Sequence, residues 1–254
     1  METKKTCLEL ALERLADRAI KESTYREYLG TLRNLGLEDV PAEKATVRYL
    51  SNVLSSVLAP GTRRKHAINL RACLGVKVPC PRPAQKLYDL PSIEEIHGAF
   101  GESRYRMYAF SMLYAGLRIG EACVSQPIKG NVITVDRQRL PDGSIATPKT
   151  AGPVVVPEWF AEEYRAFEAT KSHNTVYVGM RRAAKKVGLD INPHQLRHKF
   201  ATELVKAGVS PNVLQRQMRH HDVAVSLRYY VQTTESDITE GVMKAFTSNR
   251  LERP

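Results

Sequence analysis

The strongest hint of chemistry lies near the C-terminal end. His194 and Arg197 stand three residues apart in NPHQLRHKF, so on a helix they share one face and can converge on one ligand. His220 and His221 follow one predicted helix later, and Tyr229 and Tyr230 each lie nine residues beyond one of these imidazoles. A permanent cation, rings that can take or give a proton, and a phenolic oxygen that can attack are parts suited to phosphodiester chemistry. Spacing alone does not choose between the pairs His220/Tyr229 and His221/Tyr230.

These residues need rigid elements to bring them together. Asn192 can cap a helix, Pro193 fits its first position and Gln195 can complete a capping box; the helix runs to Ala207 and stops at Gly208. Ser210-Pro211 opens a second helix leading to the histidines, and Asp222 begins a short third one that carries both tyrosines. Upstream, the pattern predicts a four-helix bundle. Residues 6–20 would bury Leu8, Leu12, Leu15 and Ala19, and a helix capped by Ser23 ends at Gly36. A third helix opened by Pro41 turns Val47, Leu50, Val53, Leu54 and Val57 inward, and a fourth runs over 62–75. Arg63, Arg64 and Lys65 crowd the start of that fourth helix, against its dipole. Either phosphate sits there, or the turn is simply solvated.

The proline-containing stretch 76–90 reads as an extended linker, which places a domain boundary near Lys86 and gives domains 1–86 and 87–254. The second domain is predicted to hold helices 91–100 (capped by Ser92) and 103–115, a β region at 130–157, and helices 158–170 and 174–187. Within the β region Val132, Ile133 and Val135 alternate, 141–143 turn the chain and 154–156 form a last strand. An amphipathic helix is expected at 236–247. The fold class is therefore mainly α with a small antiparallel β-sheet.

The formal net charge is +11, and its distribution is uneven. Residues 1–88 hold 16 Lys/Arg against 9 Asp/Glu, residues 89–170 hold 8 against 11, and residues 171–232 hold 11 against 3. Two basic segments flanking an acidic one suit two surfaces gripping one polyanion. No apolar run approaches the ~18 residues of a membrane span, and the charged N-terminus lacks a signal peptide's apolar core. Cys7, Cys73, Cys80 and Cys123 have no metal-type spacing and are expected to be reduced, buried thiols of an intracellular protein.

LYAGLRIGEA (113–122), a hairpin lysine, HQLRHKFATEL (194–204) and a His nine residues before a Tyr resemble the tyrosine recombinase family. That family includes phage and archaeal-virus integrases and Xer-type resolvases of chromosome dimers. The resemblance implies a two-domain clamp: a helical core-binding domain over 6–75 and an α+β catalytic domain over 90–247. With no arm-binding domain ahead of them, the chain resembles the short, Xer-sized members. It also implies roles. Arg118 and Arg197 would clamp the phosphate oxygens, and His194 would accept the tyrosine proton. Lys149 would protonate the leaving 5′-oxygen (Lys129 is the rival), His220 would hydrogen-bond the phosphate, and Tyr229 would attack to leave a 3′-phosphotyrosyl link. The wording MRH at 218–220 puts His220 in the ligand place and so favours Tyr229 over Tyr230. Glu121 would orient Arg118 or be a plain surface carboxylate, and His198 is expected to be a packed helix histidine. Arg219 stands where the family normally has glycine.

By the same resemblance the activity is site-specific DNA recombination without metal, ATP or other cofactor, by a homo-tetramer on paired duplex sites. It would serve a mobile or viral element or resolve chromosome dimers, in the cytoplasm at the nucleoid. The final helix 236–247 would dock in a neighbouring subunit or on its own domain. Two other readings remain: a non-catalytic architectural or regulatory DNA-binding protein, and a type IB topoisomerase-like nicking-closing enzyme. The full set of six residues argues against the first, and the helical N-terminal bundle favours a recombinase over the second.

Overall fold

The computed structural model of the chain describes residues 5–83 and 90–230. The predicted helix 236–247 and residues 84–89 of the predicted linker lie outside the described residues. Two compact units divide the chain, Met1–Lys86 and Leu87–Pro254. No helix among the described residues is long and apolar enough to cross a membrane.

In the first unit, α1 (Cys7–Ala16) is fixed at its start by a reciprocal capping box between Thr6 and Glu9. α2 (Glu22–Asn34) follows, then α3 (Val47–Ser55) and α4 (Pro60–Leu74), which ends at Gly75 with φ +77°. Three expectations need correction. Ser23 does not cap α2: the helix starts one residue earlier, at Glu22, with Lys21 at the cap position and no side-chain cap bond. The buried stripe of α1 is Cys7, Ala11 and Leu15, while Leu12 and Ala19 face solvent. The period of 3.6 allowed either stripe, and the small residues let α1 and α4 approach closely. The helix expected from Pro41 onward is broken into a 3-10 turn (Ala42–Lys44) and α3. The reason is Thr46, whose extended backbone and side chain cap the Tyr49 N–H and restart the helix; Val47 consequently lies exposed at its first turn. All four cysteines are free thiols; three are buried and Cys80 is half-buried.

The second unit begins with α5 (Ile93–Phe100), started by the Ser92–Glu95 capping box, and α6 (Arg106–Tyr114). A tight turn leads into the short α7 (Ile119–Ala122). Five short strands follow: β1 (Ile128–Lys129), β2 (Val132–Val135), β3 (Gln138–Arg139), β4 (Ile145–Ala146) and β5 (Gly152–Val155). They make an antiparallel sheet of order β1-β2-β5 and a separate β3-β4 hairpin. Ile133 pairs with Val154, and both are fully buried, so their shared face covers the core. Pro153 is tolerated because β5 is an edge strand. β1, at 128–129, had no signal in the sequence reading.

Five helices complete the unit: α8 (Glu158–Arg165), α9 (His173–Lys186), α10 (Pro193–Lys206), α11 (Pro211–Met218) and α12 (Val223–Tyr230). α6 is its central element, burying Tyr108, Phe110, Met112 and Leu113, and α10 packs along it. Each such side chain contributes roughly 1.5–3 kcal/mol, so this cluster, not the two- to four-residue strands, holds the unit together.

The approach of α10 to the turn after α6 depends on Gly116. Its φ is +58°, and an added Cβ would lie 2.5 Å from the Phe200 ring of α10. Gly116→Ala should therefore lower stability by roughly 2–5 kcal/mol, combining a left-handed backbone and overpacking. Urea denaturation would measure it; a change below ~0.5 kcal/mol would show that α10 can move aside.

Candidate active site

Arg197 is the anchor of the site. It sits on the second turn of α10, whose start is held by Asn192 capping the His194 and Gln195 N–H groups. The residue is 2% exposed, and its guanidinium donates one terminal nitrogen to the Gly116 carbonyl and the other to the Met218 carbonyl. One cation thus joins the turn before α7 to the end of α11. Three of its five N–H donors remain for other partners.

Arg118 lies two residues beyond Gly116, at the start of α7. Its backbone N–H and its Nη1 both donate to Glu121, at 2.8 Å each, and Nη1 also reaches the Thr150 hydroxyl at 3.1 Å. Glu121 is fully buried, so it is no surface carboxylate, and its second oxygen takes a 2.5 Å bond from Arg219. Thr150 ties the β4–β5 connection to Arg118, and Lys149 is the exposed residue just before it. The rival Lys129 is exposed on β1.

The rings gather near Arg197. The Tyr229 hydroxyl is 3.0 Å from His198 Nδ1, and the His220 ring stacks near Tyr229 at 6.2 Å and 11°. His220 Nδ1 contacts the Ser226 hydroxyl at 2.9 Å, which orients the ring. His194 meets His198 edge to face, with centroids 4.6 Å apart. Against the expectation of a merely packed residue, His198 is therefore the imidazole in hydrogen-bonding contact with Tyr229, and His194 is one ring further out. Tyr230 points elsewhere: its hydroxyl donates to the Val209 carbonyl after α10, and burial raises its pKa. His221 is exposed.

Three residues of the site had no role in the sequence reading. Arg219 is buried beneath Arg118 with its charge on Glu121. Thr150 is the second, and Gln126 the third. The Gln126 amide bonds the carbonyls of Glu121 and Arg137 at 2.8 and 2.7 Å, clamping α7 to the chain after β2. None has a local signature: the contacts run from 5 residues apart at Gln126 to 98 at Arg219, none within one turn of a helix. In the first unit, Arg63 donates twice to the Val57 carbonyl, Arg64 donates to the Cys80 carbonyl, and Lys65 pairs with Glu27 at 3.2 Å. Two of that basic trio therefore brace the start of α4, each with further N–H donors left over.

This order of side chains on this fold has relatives. Residues 160–236, which hold His194, Arg197, His220 and Tyr229, match the family model described as Phage integrase family. The tyrosine recombinase XerA of Pyrococcus horikoshii is 34% identical over 89 residues, 35% of this chain. Over these residues the chain is similar to tyrosine recombinases. It covers only 31% of that relative's length. The fold likeness is wider than the sequence likeness. A Tn1549 transposon integrase in complex with transposon right end DNA superposes with TM-score 0.77, at 19% identity, over 96% of this chain and 100% of that one. A lambda integrase tetramer bound to a Holliday junction gives TM-score 0.61, at 19% identity, over 90% of this chain and 78% of that one.

The electrostatics of the site follow from its crowded cations. Burial, then the charges of Arg118 and Arg219, lower the Arg197 pKa to about 9, which still leaves it protonated at neutral pH. Burial first, and then His194 and Arg197, pull His198 down to about 4. Burial and the three arginines do the same to His220, also to about 4. His194 is lowered by desolvation and by Arg197 and Arg118, although part of its ring reaches solvent.

These shifts predict a pH dependence of stability. Between about 4 and about 6.5 the unfolded histidines bind protons that the folded rings refuse, so stability is greatest above that window and falls as pH drops through it. His198 and His220 should contribute about 1–3 kcal/mol each to that fall. Thermal melts from pH 7 to pH 4 would show it, and His198→Gln with His220→Gln should flatten the curve. An equally steep fall in the double variant would place its origin elsewhere.

Proposed function

We propose that this chain is a site-specific DNA recombinase, and that Tyr229 is its nucleophile. The observation that carries the reading is the Tyr229 hydroxyl, 3.0 Å from His198 and beside a cluster of three guanidinium groups. In the proposed step the phenolic oxygen forms a bond to phosphorus as the bond from phosphorus to the 5′-oxygen breaks. The phenol passes its proton to the His198/His194 pair, whose lowered pKa keeps it neutral and receptive at pH 7. Arg118 and Arg197 take up the charge that grows on the non-bridging oxygens, and His220 adds a hydrogen bond. Lys149 gives a proton to the departing 5′-oxygen from the β4–β5 connection. One ester replaces another, so a 5′-hydroxyl from a second duplex can reverse the link without ATP.

The wider assignment rests on the same chemistry. The chain's basic segments, 1–88 and 171–232, are proposed to engage duplex DNA from the core-binding unit 1–86 and the catalytic unit 87–254, closing as a clamp. The lambda integrase tetramer on a Holliday junction supports a homo-tetramer on paired sites. The transposon integrase with its end DNA supports integration or excision of a mobile element over resolution of chromosome dimers. The place of action is proposed to be the nucleoid.

A nicked suicide duplex that carries the cognate site should trap a covalent adduct with the wild-type chain. Tyr229→Phe should abolish it and Tyr230→Phe should retain it, while Arg118→Ala should slow it by about 10²–10³-fold. Loss in the Tyr230 variant alone would transfer the nucleophile, and relaxation of a plasmid lacking any site would favour a topoisomerase.

A further inference from the structure

Arg219 breaks two local rules at once. Its φ is +51°, the one positive value at a non-glycine among the described residues, and a bulky side chain there is strained by roughly 1–2 kcal/mol. Its side chain is also 2% exposed, with buried Nε and Nη1 atoms that have no hydrogen-bond partner. A buried, partly unpartnered guanidinium is a further penalty. Glycine would avoid both. What offsets them is a single contact, the 2.5 Å bond from Nη2 to Glu121, whose other oxygen holds Arg118 Nη1 at 2.8 Å.

We propose that Arg219 is a positioning residue: it shares the buried Glu121 carboxylate with Arg118, and so leaves Arg118 a larger part of its positive charge for a substrate phosphate. With Arg118 alone, a fully buried carboxylate would neutralise the cation that faces the substrate. With Arg219 beneath it, one negative charge serves two guanidinium groups, and Arg197 from α10 is near enough for Glu121 and both other arginines to shift its proton affinity. These three cations, from the turn before α7, from α10 and from the end of α11, are the charged groups facing Glu121. Without Arg219, Glu121 would pair with Arg118 alone and offset its charge. The inference deepens the strand-transfer reading and depends on it for the role of Arg118.

Arg219→Gly is the test, since glycine suits the backbone. On the suicide duplex, the single-turnover adduct rate should fall by about 10- to 100-fold at neutral pH while duplex affinity changes less than ~3-fold. Arg219→Lys, which keeps the cation, should bring the rate most of the way back. In a Glu121→Gln background the same substitution should cost less than ~3-fold, as expected for residues acting as a unit. A wild-type rate in Arg219→Gly, or an undiminished loss in the Glu121→Gln background, would overturn the proposal. If the glycine variant folds poorly, Arg219→Gln carries the same expectations. A wild-type chain that forms no adduct would instead sink the recombinase reading. The Arg219–Glu121 coupling is then read without DNA, from urea denaturation of Arg219→Lys and Glu121→Gln singly and together. Strictly additive effects would refute it.

Discussion

A buried cation bonded to two backbone carbonyls is the constraint on which the second unit turns. Arg197 is out of water, and an unpaired charge there would be costly. The two carbonyls that accept it are unusually available. Met218 ends α11, so its oxygen belongs to the last turn, where carbonyls lack helical partners and the dipole is negative. Gly116 has φ +58°, a backbone state that aims its carbonyl at α10. Fixing these two points fixes their neighbours: Arg118 lies two residues beyond the first, and Arg219 and His220 directly follow the second. The arrangement of the site is thus largely a consequence of where one guanidinium finds its acceptors.

The same cations explain the state of the imidazoles. Arg118, Arg197 and Arg219 face one carboxylate, Glu121, so the site carries excess positive charge before any ligand arrives. That field lowers the proton affinity of His194 and His220, and Arg197 lowers that of His198, on top of the larger effect of burial. It also favours an incoming phosphate. A site built to hold an anion therefore keeps its histidines neutral at pH 7 without a separate device, and neutral rings are what proton acceptance requires.

The parts legible in the sequence were those governed by local rules. Asn192-Pro193 with Gln195, and Ser92, gave their helix starts because a cap involves residues within one turn. The alternation of Val132, Ile133 and Val135 gave β2. Failures came where two local solutions compete. Leu12 and Ala11 both satisfy a helical stripe on α1, and only the close approach of α4 selects the smaller residue. Thr46 can continue a helix or restart one, and its hydroxyl does the latter. The contacts of Gln126, Thr150 and Arg219 span up to 98 residues and leave no pattern to read. The glycine replaced at Arg219 was visible, yet its side-chain partner was not.

The two adjacent tyrosines show how a tie in sequence is resolved by geometry. Each lies nine residues past a histidine, so spacing treats them alike. Successive residues on a helix differ by about 100° around its axis, so both phenols cannot reach one cluster. α12 is phased by Tyr230, whose hydroxyl is bonded to the Val209 carbonyl just beyond the end of α10. With that side of α12 tethered, Tyr229 is turned onto His198 and His220, on the face where Arg197 lies. Tyr230 is thus more than the unused neighbour: its bond to Val209 sets the angle at which the other phenol meets the cations.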